Sequence, residues 1–315
     1  MLTPCPGCRA RIIGDAVTKI QKLMTSAAAV LMLLGVSFVA RSADLDEIKA
    51  RGELRHLGIR YAHFVTGDGD GFDVELVQGF ARHIGVKYKL VYTDFYSVIR
   101  DLLGKNVVRK GDEVSLDGDF EVRGDMIATG FTVLPWRQAV LLYSEPTFPS
   151  QVLLVSRADS KDKPVRESKS IEEDIRRTKA MIGKRSLLVM EQTCLDPASY
   201  GLKGVGIDLR AYNKSTNLNE MVPALLNREA ELTLLDVPDA ILDLRKWAGK
   251  IKILGPISGE QELAAAFPKS SPKLREAFND YLRQVKASGA YDKLVDKYYP
   301  GIRRYFPEFF VKIRR

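Results

Sequence analysis

The sequence predicts an α/β protein of two lobes with a cleft between them, and three observations carry that reading. Short apolar runs alternate with amphipathic stretches from residue 53 to residue 130, the strand-helix order of a mostly parallel sheet covered on both faces. The same alternation restarts at residue 151 and runs to residue 254. About 270 of the 315 residues follow an N-terminal leader, enough for two domains of common size.

The leader is read from residues 27–40, AAAVLMLLGVSFVA, an apolar run preceded by Arg9, Arg11, Lys19 and Lys22 and followed by polar sequence from Asp44. This is the layout of a secretory signal peptide. A spanning helix needs roughly 20 apolar residues, more than the run supplies. Residues 1–43 are therefore assigned to a signal peptide, with cleavage after Ser42 favoured because small Ala40 then lies three positions back. An uncleaved anchor is the alternative. In both cases the globular part faces outward, in a periplasm or otherwise exported.

Without the leader the formal charge falls from +8 to +4, and the cations are interspersed with acids, so nothing calls for a nucleic-acid partner. Cys5 and Cys8 leave with it, and the remaining Cys194 cannot form an internal disulfide; it reads as a buried packing residue. No P-loop, dinucleotide fingerprint or histidine cluster is present, and no cofactor or metal is expected.

The elements follow in order. ELRHLGI at 53–59 reads as a strand. VELVQGFARHIG then puts Val74, Val77, Phe80, Ala81 and Ile84 on one helical face, with Gly85 as its stop. VKYKLVY at 86–92 alternates as a strand does, and residues 97–103 resume helical spacing through Val98, Ile99, Leu102 and Leu103. The charged stretch at 105–123 reads as a projecting hairpin, and DMIATG at 125–130 as a short buried strand. In the second set, QVLLVS at 151–156 leads into a polar, lysine-rich loop. SLLVM at 186–190, a helix around Leu218, Met221, Val222, Leu225 and Leu226, LTLL at 232–235 and KIKIL at 250–254 complete it. Two helices, 272–287 and 290–299, carry Leu274, Phe278, Leu282, Val285, Leu294 and Tyr298. The tail is read as a terminal helix or strap packed by Tyr305, Phe306, Phe309 and Phe310.

Three segments carry a resemblance: LDEIKARGELRHLGIRYAHF with GFDVELVQGFARHIG, then YTDFYSVIRDLL, then GDMIATGFTVLPWRQAVLLYSEPTF. They are similar to the family 3 extracellular solute-binding proteins, the amino-acid-binding receptors of ATP-driven importers. The later part, from EQELAAAFPKSSPKLREAFNDYLRQ to YDKLVDKYYPG, also resembles the solute-binding domain of membrane-bound lytic transglycosylases. The resemblance implies the two-lobed periplasmic binding protein-like fold of type II, hinged on two crossing strands. Lobe 1 would comprise residues 44–149 with 262–315, and lobe 2 residues 150–261.

A zwitterionic amino acid needs a cation and donors for its carboxylate, an anion for its ammonium and an apolar wall for its side chain. By resemblance Arg137 grips the carboxylate, as a planar guanidinium does bidentately, and Thr132, five residues before it, adds a hydroxyl. Asp236 holds the ammonium in the family's pattern, although an Asp before a Pro-initiated helix is equally an N-cap. Thr193 stands where the family offers a hydroxyl and a helix N-terminus to the carboxylate. Tyr61 and Phe95 fall where rings line the ligand, or pack as ordinary core aromatics. Cation-specific members carry an acid three residues before the first ring; here that position is Gly58, which disfavours a lysine- or arginine-like ligand. Gly130 stands in place of a common serine and removes one donor.

The expectation is a non-enzymatic receptor that closes on an amino acid or related small carboxylate and presents it to the membrane permease of an ABC importer. Two alternatives stand beside it: a ligand-sensing regulator of cell-wall metabolism, and a dehydratase on the same fold, with Arg137 holding a cyclic carboxylate.

Overall fold

The computed structural model describes residues 43–110, 113–204 and 206–312, all within one unit, Ser42–Arg315. Except for Ala43, the assigned signal peptide lies outside the described residues.

The first sheet gathers β1 (Glu53–Gly58), β2 (Lys87–Tyr92), β5 (Met126–Ile127), β6 (Leu141–Tyr143) and β14 (Ala266–Pro268), in the order β2-β1-β5-β14-β6. Helix α1 (Leu45–Arg51) leads into it, closed at its N-terminus by a reciprocal pair of hydrogen bonds between Asp44 and Glu47. Helix α2 (Phe72–His83) buries Val74, Val77, Phe80 and Ala81, the face read from the sequence, and α3 (Val98–Leu103) buries Val98, Ile99 and Leu102. The stretch between α3 and β5 forms an antiparallel hairpin of β3 (Asn106–Lys110) and β4 (Glu113–Asp117). Its side chains are half-buried or exposed.

The second sheet runs β10-β9-β11-β8-β12, from β8 (Val152–Arg157), β9 (Ser186–Val189), β10 (Asp208–Ala211), β11 (Leu232–Asp236) and β12 (Ile251–Pro256). Strands β9 and β11 are buried at every residue because helices cover both faces, which explains their unbroken apolar character. In each sheet four of the five strands run in one direction, and only β14 in the first and β8 in the second run against them, so each sheet is mostly parallel with one reversed strand. The cause is connectivity. The chain leaves the first sheet through β7 (Phe148–Ser150) and returns through β13 (Gln261–Leu263), and these strands pair antiparallel with Phe148 opposite Leu263.

The expected lysine-rich loop contains a helix, α5 (Ile171–Ile182). Ser170 caps it by accepting from the Glu173 amide, and Glu172, Glu173 and Asp174 in its first turn complement the helix dipole. Its buried face is Asp174, Thr178 and Ile182, at helical spacing but mostly polar, so hydrophobic periodicity does not reveal it.

Helix α6 (Met221–Leu226) and α7 (Val237–Lys246) complete the second set. Helices α8 (Pro272–Ala287) and α9 (Ala290–Tyr298) bury Leu274, Phe278, Leu282, Val285 and Tyr298. The tail forms α10 (Pro307–Lys312), where Phe306, Phe309 and Phe310 are buried; Tyr305, expected to pack with them, is 66% exposed. No helix among the described residues is long and apolar enough to cross a membrane.

Candidate functional site

Tyr61 follows β1 in a tight turn closed by a bridge to Val65, and its ring packs edge-on against Phe95 at 5.6 Å between centroids. Asp236 is the last residue of β11 and the N-cap of α7. Arg137 lies in the short helix α4 (Pro135–Gln138) and is only 1% exposed, a rare condition for a guanidinium. The loop after β9 supplies Gln192, Thr193 and Cys194, with Gln192 in the left-handed region at φ 62°.

Tyr61, after β1 of the first sheet, and Asp236, at the end of β11 of the second, meet directly. The Tyr61 hydroxyl donates to Asp236 Oδ2, and Cys194 Sγ approaches the same oxygen at 3.7 Å. Asp236 Oδ1 accepts the Asp239 amide at 3.2 Å, so both carboxylate oxygens are engaged and the residue caps α7. Burial pushes the Asp236 carboxyl above its ordinary range, against the bonds from Tyr61, Asp239 and Cys194 that lower it. Burial, with Asp236 beside it, also raises the Tyr61 phenol well above its ordinary value.

Arg137 is spanned by the same loop. Its Nη1 donates to the Thr132 carbonyl at 3.0 Å and its Nη2 to the Gln192 carbonyl at 3.4 Å. The guanidinium lies 4.0 Å from the centre of the Phe131 ring and 5.1 Å from that of Trp136, a cation–π pocket that partly offsets desolvation. Burial lowers its proton affinity, and nearby Tyr143 works in the opposite direction. Its Nε is buried with no partner among the described residues.

Of the six expected site residues, Tyr61, Asp236 and Phe95 form one cluster. Arg137 and Thr132 form a second, but through the Thr132 carbonyl rather than its hydroxyl. Thr193 is fully buried and closes its own loop, donating to the Met190 carbonyl at 2.7 Å and accepting the Leu195 amide at 3.0 Å. Gly130 has φ 61°, and a Cβ there would meet the Phe64 ring at 2.4 Å, so the missing serine is a steric requirement of this chain.

A cavity of about 520 Å³ opens beside these clusters, and of the six residues only Phe95 lines it. Its walls include Trp136, Glu191, Gln192, Asp196, Lys203 and, from the hairpin, Arg109. Sequence reasoning missed these residues. Trp136 adjoins Arg137, which was one available signal; the charge density of 105–123 was another.

Similarity to known proteins agrees with the architecture. The family model described as bacterial extracellular solute-binding proteins, family 3, matches residues 121–301. Membrane-bound lytic murein transglycosylase F of Desulfosudis oleivorans is 26% identical over 234 residues, 74% of this chain and 44% of that protein. The chain thus spans about half the length of such transglycosylases. A crystal structure of a mutant of ArgBP from T. maritima is 26% identical with a TM-score of 0.61, covering 81% of this chain and 98% of its own. The ancestral amino acid-binding protein AncCDT-1, a precursor of cyclohexadienyl dehydratase, has the same TM-score at 24% identity, covering 81% of this chain and 99% of its own, and shares the fold.

Proposed function

The chain belongs to the bacterial extracellular solute-binding proteins of family 3, and from that premise we propose that it is an exported receptor that captures an amino acid or related small carboxylate. The signal peptide at 1–43 directs it outward, and lobe 1 (44–149 with 262–315) and lobe 2 (150–261) close around the ligand on the crossing strands β7 and β13. Closure presents a surface to the permease of an ABC importer.

One observation carries the reading: a buried cation and a buried anion are held at the same short loop. Arg137 bonds the Gln192 carbonyl, and Asp236 contacts Cys194 two residues on. That pair of opposite charges matches the head of an α-amino acid, the carboxylate going to Arg137 and the ammonium to Asp236. Tyr61 and Phe95 supply the wall, with Thr132 and Thr193 shaping the turns that hold it. The direct contact of Tyr61 with Asp236 is what an incoming ammonium displaces.

A thermal-shift screen of the mature chain against amino acids, cyclic carboxylates and cell-wall fragments tests this, because a ligand at 100 times its Kd stabilises by about 2.7 kcal/mol. A shift with an amino acid, without turnover, is the expected result. Arg137→Ala should abolish it, since each charge-assisted bond lost is worth roughly 1.5–3 kcal/mol. Binding that survives this change refutes the clamp. Sequence similarity to the transglycosylases favours a second reading, a sensor for cell-wall metabolism, which predicts silence across amino acids and a response to the fragments.

A further inference from the structure

The cavity beside the clamp has a composition that the amino-acid head does not use. It is rich in donors and poor in free acceptors. Asp196 already accepts the Gln192 amide at 3.1 Å, the Ala198 amide at 2.9 Å and Arg109 Nη1 at 3.4 Å, and Glu191 is paired with Lys203 at 2.7 Å. Against these two acids stand three lining cations, Arg100, Arg109 and Lys203, of which Arg109 and Lys203 are the acids' own partners, so the lining carries one excess positive charge. Arg100 shares its acid, Asp101, with Arg123, which holds it at the shorter distance of 2.6 Å. The Trp136 indole N–H is buried without an acceptor among the described residues, and the Arg109 guanidinium lies 4.8 Å from the centre of the Trp136 ring.

The size points the same way. A volume of about 520 Å³ is more than a single amino acid fills and lies within the roughly 300–1,000 Å³ that larger small-molecule ligands occupy. The hairpin supplies part of this wall through Asn106, Val107 and Arg109, while residues 191–203 supply the facing side.

We propose that the β3–β4 hairpin builds a second recognition subsite, in which Arg109 and Trp136 receive the anionic, acceptor-rich extension of a ligand of short acidic peptide size. This rests on the reading of the adjoining cleft as the site of an α-amino-acid head. Arg109 is then a specificity residue. Its planar fork takes the terminal carboxylate in exchange for the long 3.4 Å contact with Asp196, and the indole stacks against it and donates to a peptide carbonyl.

Calorimetric titration of the mature chain with alanine, glutamate, γ-glutamyl-glycine and γ-glutamyl-glycinamide, the dipeptides keeping an intact α-amino-acid head and differing only in the terminal carboxylate, provides the test, run on wild type, Arg109→Ala and Arg109→Lys. γ-Glutamyl-glycine should bind wild type about tenfold more tightly than γ-glutamyl-glycinamide, the value of one charge-assisted contact. Arg109→Ala should erase that preference and leave alanine nearly unchanged, while Arg109→Lys keeps part of it. Equal affinity for the two dipeptides in wild type, or a uniform loss across all four ligands in Arg109→Ala, overturns the subsite and leaves the receptor reading standing. Absence of heat with every ligand overturns both.

Discussion

Removing the Tyr61 hydroxyl separates its roles as wall and as latch. In Tyr61→Phe the ring remains against Phe95 and only the bond to Asp236 is lost. Both residues are 1% exposed, so water does not replace the missing donor. A hydrogen bond to a charged group is worth about 1.5–3 kcal/mol, and at about 2 °C per kcal/mol for a chain of this length the ligand-free melting temperature should fall by about 3–6 °C. Ligand affinity should move in the opposite direction. Wild type gives up the Tyr61–Asp236 bond when an ammonium arrives and the variant has none to give up, so binding should tighten by about 10- to 140-fold. Scanning calorimetry on the free protein and titration with the best ligand of the screen read both quantities. An unchanged melting temperature would mean that Asp236 does not hold the hydroxyl in solution. Weakened binding would mean that the hydroxyl contacts the ligand instead of yielding to it.

Two further outcomes are expected. Burial raises the Asp73 carboxyl to about 7, although it accepts the Gly130 amide at 2.6 Å. Its folded-state value lies above the unfolded one, so its contribution to stability is complete below about pH 4 and is lost as the pH rises through about 7. Asp73→Asn should therefore melt progressively higher than wild type between pH 4 and 7, with a constant difference above that, and a difference independent of pH would refute the assignment. Gly130→Ser, which adds the hydroxyl expected from the family resemblance, should destabilise by about 1–3 kcal/mol in denaturant titration, because its Cβ enters the Phe64 ring; a neutral result would show that the ring moves aside.

Where apolar residues repeat at a fixed interval, the sequence states the element almost to its ends: α8 occupies Pro272–Ala287, and LTLL becomes the fully buried β11. Helix α5 escapes that reading because it packs Asp174 and Thr178 inward, and its cap at Ser170 with three following acids is the signal that remains. The tripeptide Arg123-Gly124-Asp125 has its charges committed within the fold. Arg123 binds Asp101, and Asp125 is fully buried between Arg51 and Arg55. For the site, the family resemblance rather than residue type singles out Arg137 and Asp236 as charges, but the partners of those charges depend on a backbone turn. One of the two carbonyls that meet Arg137 belongs to Gln192, whose positive φ lies in the loop that Thr193 closes, and nothing in its side chain announces that role.

The position of β14 bears on the order in which the molecule assembles. Residues 266–268 insert between β5 and β6, which are complete by residue 143. Until they arrive the first sheet has a vacant interior place, with β5 and β6 each lacking the partner that joins them, while β8 to β12 already hold everything the second sheet requires by residue 256. A chain emerging from its N-terminus therefore finishes the later sheet first. Its opening segment waits across more than a hundred residues for a partner, a long-range closure that slows folding and exposes strand edges meanwhile. A truncation ending before residue 266 should leave the second sheet intact and the first unformed.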